Sequence, residues 1–549
     1  MRRLSLLLLL PVAACGPKAD LVITHGMVWT GTSSGGPQPG GVAIKGDKIV
    51  AVGDSAALAP FMGSDTKVID AKGGLVAPGF NDAHTHFVDG GFQLSSVDLR
   101  TAATPQEFVR RIAEFAKTRK PGEWITGGDW DHTLWPGQPL PRREWIDSVT
   151  PNNPMFISRL DGHEALANSA ALKAANVTKD TPTPPGGEIL HDAKTGEPTG
   201  IFKDNAMGLI DKAIPDPSPE RVDSAVARAQ VYAASLGLTG TSFVSVPFAD
   251  WASLRRMEQA GKLTMRFTLY LPLMQWHAIA DSLKVLGAGD DWVRVAGVKG
   301  FMDGSAGART AKFYEPYSDS AGYTGLFRYP PDSMAKWIGA ADSAGLQVAV
   351  HAIGDQANGV LLGIYDSVGK AHGPRDRRFR VEHAQHLRPQ DISKFGADGI
   401  IASVQPSHLT DDGRWIEKRI GSERIKTTYP FRTILDTHGV LAFGSDWDVA
   451  TPDPLKGIDA AVTRRTNDGK NPGGWQPQEK ITLAEALRAY TWGNAYAVSQ
   501  EKKRGTLAPG MYADIVVVDR NLFAIPADSI GDSHVRATIV GGKVVFEHK

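Results

Sequence analysis

Eight short apolar runs, with helical patterns between several of them, constrain this chain more than any other feature. The runs are Leu75–Phe80, Gly240–Val244, Phe267–Leu271, Val293–Phe301, Gln347–His351, Arg380–His383, Ile400–Val404 and Leu441–Ser445. Each has the length and residue types of a buried strand. Helical patterns follow at Pro219–Leu236, Pro331–Ala344 and Asn358–Val368. Strands alternating with helices mark a parallel α/β fold, and eight such units predict a (β/α)8 barrel, the TIM barrel, over residues 75–496. The long gap between the first two runs reads as an insertion, about residues 100–235. It is rich in tryptophan (Trp124, Trp130, Trp135, Trp145), which reads either as core packing, the usual place for tryptophan, or as an apolar pocket wall.

Both ends of the chain have a different texture. Residues 20–74 and 497–549 carry short runs of β-formers broken by Gly and Asp, with Gly46-Asp47 and Gly541-Gly542 as tight turns. Together they predict one small β-sandwich, discontinuous because the barrel interrupts it.

The chain has 549 residues, too many for one compact core. With 42% hydrophobic and 22% charged residues it has the composition of a folded protein, and its formal net charge is zero. Nothing in that balance points to nucleic acid. The single cysteine, Cys15, excludes an intrachain disulfide and a closed thiolate zinc site. It follows a basic start (Arg2-Arg3), an apolar run (Leu4–Leu10) and Val12-Ala-Ala, so residues 1–19 read as a signal peptide and tether. The ending resembles a bacterial lipobox. That resemblance implies an exported lipoprotein on the periplasmic face, held to the membrane only through a lipid on Cys15. Gly16 after the cysteine favours the outer membrane.

Six polar residues stand at or just after the apolar runs: His84, His86, Lys299, His351, His383 and Asp446. In extended chain, residues two apart face the same way, so His84 and His86 can reach one ion. Lys299, late in its strand, either pairs with a carboxylate or adds CO2 as a neutral amine, giving a carbamate that bridges two cations. His351 and His383 are either satisfied core histidines or ligands. Asp446 is either a turn aspartate or a ligand that also accepts a proton. If all six converge at one end of a barrel, they form a His-rich, oxygen-completed set suited to Zn2+, with other divalent ions compatible.

The motifs Gly79-Phe-Asn-Asp-Ala-His-Thr-His86, Val298-Lys-Gly-Phe-Met-Asp-Gly304, His351-Ala-Ile-Gly-Asp355, Val381-Glu-His-Ala-Gln385 and Gly444-Ser-Asp446 resemble the amidohydrolase superfamily. Within it they resemble the YtcJ-like branch, amidohydrolase family 3, which includes enzymes of the N-substituted formamide deformylase type. The resemblance runs from about residue 20 to the end. It implies two divalent ions, with His84, His86 and Asp446 at the more buried one, His351 and His383 at the other, and N-carboxylated Lys299 between them. It also implies hydrolysis of a non-peptide amide-type C–N bond, N-acyl or N-formyl, by a metal-bridging hydroxide, with Asp446 as general base and then general acid. His163, in the insertion, is either a substrate or oxyanion contact or a surface-loop histidine. Asp303, Arg309 and Gln405 are candidates for the pocket lining, and Arg309 would favour a substrate carboxylate unless it pairs with Asp303. The expected partner is a small amide molecule, and a homodimer is allowed for. The alternatives are a cyclic-amide hydrolase or deaminase on the same scaffold, or a non-catalytic metal- or solute-binding lipoprotein.

Overall fold

The computed structural model describes residues 18–32, 35–160, 162, 164–184 and 187–548. Cys15 and His163 lie outside the described residues, as does nearly all of the leader segment. Among the described residues, no helix is long and apolar enough to cross a membrane.

Eight parallel strands form one sheet in chain order: β1 Phe80–Thr85, β2 Leu238–Val244, β3 Arg266–Pro272, β4 Val293–Phe301, β5 Gln347–Ala352, β6 Arg380–His383, β7 Ile401–Val404 and β8 Val440–Phe443. The expected barrel is present. Its closing seam is short: Thr85 bridges Trp447, His86 N–H donates to Trp447 O, and Asp446 N–H donates to His84 O at 2.8 Å. The seam is therefore made by the same segments that carry three of the six candidate ligands. The strands run buried along most of their length, for example Val298, Val348, Val350 and Val381, as a parallel sheet covered on both faces requires. Each such side chain contributes about 1.5–3 kcal/mol by leaving water.

One strand differs from expectation. The run Leu75–Phe80 is split at Gly79. Leu75–Pro78 belongs to the β domain, and the first barrel strand starts at Phe80. A Cβ on Gly79 would lie 2.2 Å from Thr239 Cγ2, so the crossing between the two sheets has no room for a side chain.

The β domain is a mixed eight-stranded sheet built from both ends of the chain. Its seam is Leu75–Pro78 running antiparallel to Ile515–Val518, with Val517 opposite Val76. The glycine turns are as expected: Gly46, Gly541 and Gly542 all have positive φ. A bidentate pair, Arg266 to Asp514 at 2.7 and 3.1 Å, joins this domain to the base of β3.

The insertion folds around a six-stranded sheet of its own, spanning Val97 to Asp204. Its tryptophans do not form a pocket wall. Trp130 and Trp135 are fully buried with Phe108 and Ile112 in the insertion's core, and Trp124 and Trp145 pack against its clusters. Both buried indoles find backbone acceptors, Ile157 O and Ala102 O.

Candidate metal centre

All six candidate ligands meet at the C-terminal end of the barrel, where strand ends and the loops after them present side chains to one another. His84 lies within β1 and is completely buried. Its Nδ1 is 2.6 Å from Glu382 Oε2, which leaves Nε2 facing Asp446 Oδ1 at 3.3 Å. His86 Nε2 stands 3.3 Å from the same oxygen. Lys299 Nζ approaches His84 Nε2 at 3.4 Å. The rings of His383 and His84 are 5.0 Å apart, and those of His383 and His351 are 4.5 Å apart.

The backbone helps bring them together. His383 and Asp446 are non-glycine residues with φ of 73° and 61°. Such turns cost energy and occur where the surrounding structure holds them, here aiming each side chain back over the barrel mouth. Glu382 is itself held by Arg380 Nε at 2.8 Å and Ser403 Oγ at 2.7 Å, all within the barrel interior. Asp82 ties the two edges of the seam, accepting from His84 N–H and Ser445 N–H, each at 3.0 Å, and from Ser445 Oγ at 2.6 Å.

Most of the protonation states suit cation binding; His86 is the exception, where burial is outweighed by Asp446, which holds the imidazole above its ordinary value. Burial pushes His84 down to about 4 and His351 to about 3, with the Lys299 ammonium adding to both. His383 is driven well below its ordinary value, by burial and by the neighbouring histidine. Burial also lowers Lys299 to about 8. Burial would raise Asp446, but His84 and the other histidines outweigh it and hold the carboxylate well below its usual range. The donor set fits a metal: His84, His383 and Asp446 each offer a ligand atom, all within 4.8 Å of one another. His383 Nδ1 is buried with no hydrogen-bond partner among the described residues, which is costly unless a cation takes its lone pair.

The remaining sequence candidates fall in different places. Asp303 is buried beside His351, with Oδ1 3.4 Å from its Nε2, but its oxygens already accept from the backbone N–H groups of Lys312, Ile353 and Gly354. Arg309 pairs with Asp319 at 2.9 Å rather than with Asp303. Gln405 is buried at the start of helix Pro406–Asp412 and donates to Ser403 O at 3.4 Å. Neither Arg309 nor Gln405 lines the cavity of about 1680 Å³ above the centre, whereas Asp303 does.

Sequence reasoning did not find Glu382 as the partner of His84, and it brought the insertion to the cavity through tryptophans rather than through Asp129, Asp131 and Arg159. The signal for Glu382 was the Arg380-x-Glu382 pair in a buried strand, where two opposite charges on one face imply mutual pairing.

A family model described as the amidohydrolase family matches residues 67–546. The chain is 39% identical to protein LONG AFTER FAR-RED 3 of Arabidopsis thaliana over 97% of its own length and 92% of that protein. It is 28% identical to an N-substituted formamide deformylase of Arthrobacter pascens, covering 92% of this chain and 94% of the relative. In structure it is similar to an uncharacterized metal-dependent hydrolase from Pyrococcus horikoshii, with a TM-score of 0.76 and 29% identity over 92% of this chain and 99% of that one.

Proposed function

Because the chain belongs to the amidohydrolase family, with a buried His/His/Asp group at the mouth of its barrel, we propose that it hydrolyses a non-peptide amide bond of the N-acyl or N-formyl type. The observation that carries the reading is the convergence of four histidines, Lys299 and Asp446 around one point open to a large cavity. A divalent ion held there supplies Lewis acidity to a carbonyl oxygen and to water. In the proposal His84, His86 and Asp446 would hold one ion and His351 and His383 a second, with N-carboxylated Lys299 as a further ligand.

The chain's own residues account for the proton movements. Glu382 accepts the Nδ1–H of His84 and fixes its tautomer, so Nε2 keeps its lone pair for a cation. Asp446, ionised and facing the cavity, takes a proton from the attacking water and returns it to the leaving nitrogen, so the products are a carboxylic acid and an amine. Similarity to a relative named for deformylating N-substituted formamides supports an acyl or formyl group on the substrate nitrogen.

The test is a hydrolysis screen of N-formyl, N-acyl-amino-acid and aryl-amide compounds with metal-loaded protein, alongside metal analysis. Release of acid and amine, with about two ions per chain falling on Lys299→Ala substitution, is the expected result. A fully metal-loaded protein that turns over none of these amides would overturn the assignment.

A further inference from the structure

Five arginines line the cavity above the candidate centre: Arg100, Arg159, Arg328, Arg414 and Arg419. Four are neutralised by carboxylates, Arg100 by Asp129, Arg159 by Asp131, Arg414 by Asp411 and Arg419 by Asp319. Arg328 makes no ion pair among the described residues. Its guanidinium carbon stands 4.8 Å from the centre of the Phe301 ring. Phe301 ends β4 two residues after Lys299, so the two side chains leave the strand on the same face. Lys299 Nζ is 4.5 Å from that ring, and the ring lies 5.5 Å from that of His351. Arg328 is thus separated from the candidate ligands by one aromatic ring. Its backbone is anchored as well, since its N–H donates to Met302 O at 2.8 Å.

A planar cation stacked on an aromatic ring, with no carboxylate of its own, is pre-organised for bidentate capture of an external one. We infer that Arg328 binds a carboxylate of the substrate, so that the amide hydrolysed is that of an N-acylated amino acid or a similar amido acid. This rests on the amide-hydrolase reading for the reaction but not for the anion site. It also moves the carboxylate-reading role away from Arg309, which is occupied by Asp319.

The experiment is a binding titration of the metal-loaded protein with N-benzoylglycine and with its uncharged analogue N-methylbenzamide. Wild type, Arg328→Met and Arg328→Lys are compared, and turnover of both compounds is followed separately. Wild type should bind the acid at least about tenfold more tightly than the neutral amide, the span expected of one charge-assisted pair. Arg328→Met should abolish that preference while leaving affinity for the neutral amide and the metal content unchanged. Arg328→Lys should retain part of it. Equal affinity for both compounds in wild type, or an acid preference that survives in Arg328→Met, overturns the inference. Absence of turnover with the Arg328-dependent preference intact would instead count against amide hydrolysis and leave the anion site standing.

Discussion

Glu382 lies between a guanidinium and an imidazole, and three facts about it set the behaviour of the centre. It is completely buried, it accepts from Arg380, and it accepts from His84. Burial alone would raise its pKa, but the Arg380 cation and His84 outweigh that and hold it below the ordinary carboxylate range. A carboxyl group with a depressed folded-state pKa adds stability that is fully present above its unfolded pKa, about 4.3, and is lost as pH falls through the lower folded value. Glu382→Gln should therefore flatten the loss of stability below about pH 4.3, measured by denaturant titration across pH. It should also weaken zinc binding by about 10–100-fold in competition with a chelator, because His84 loses the partner that fixes its tautomer. Unchanged zinc affinity in that variant would remove Glu382 from the account. His84 itself was legible in the sequence, because a histidine at a strand end is a local feature. The bond between residues 84 and 382 was not, because it exists only once β1 and β6 face each other across the barrel.

At the scale of elements, the loop after β8 depends on other segments for its position. Asp446 sits in a left-handed turn, and the residues after it are pinned from outside. Arg100 donates to Val449 O at 2.8 Å and to Asp448 O at 3.0 Å. Gln93 donates to Asp448 O at 2.8 Å and accepts from Trp447 Nε1 at 3.0 Å. Both bonding partners lie between β1 and β2, so the segment leading into the insertion clamps the loop that carries the proposed proton carrier. Arg100→Ala should lower kcat for any amide the protein turns over by about tenfold or more, through misplacement of Asp446. The same change should cost about 1–3 kcal/mol of stability, since two carbonyl acceptors and the Asp129 carboxylate lose a donor. A variant with wild-type kcat would show that the clamp does not position Asp446. Strand identity was largely visible in the apolar runs. The exception, Leu75–Phe80, is apolar on every face, so its periodicity could not say that Leu75–Pro78 would pair with Ile515–Val518 while Phe80 turned into the barrel.

Across the whole molecule, the β domain and barrel are joined by a nearly buried ion pair, Arg266 to Asp514, whose guanidinium also stacks 4.2 Å from the Tyr512 ring centre. Removing one partner strands the other charge in low dielectric, which costs far more than the pair contributes. Asp514→Ala should destabilise the protein by about 3–5 kcal/mol in chemical denaturation, and pairing it with Arg266→Met should recover much of that loss. A change below about 1 kcal/mol would mean that water reaches the interface. The sequence alone determined the barrel, the two-ended β domain and the order of six metal-seeking residues along it, because each depends on periodicities and positions within a few residues. The tertiary structure decided which groups are satisfied and which are left over. It gave Asp303 its backbone donors, Arg309 its aspartate and His84 its carboxylate, and among the described residues it left His383 Nδ1 without a hydrogen-bond partner and Arg328 without an ion-pair partner. Those pairings join segments that the order of residues keeps apart, and the energy of a buried charge or lone pair depends on which neighbours the folded chain brings to it.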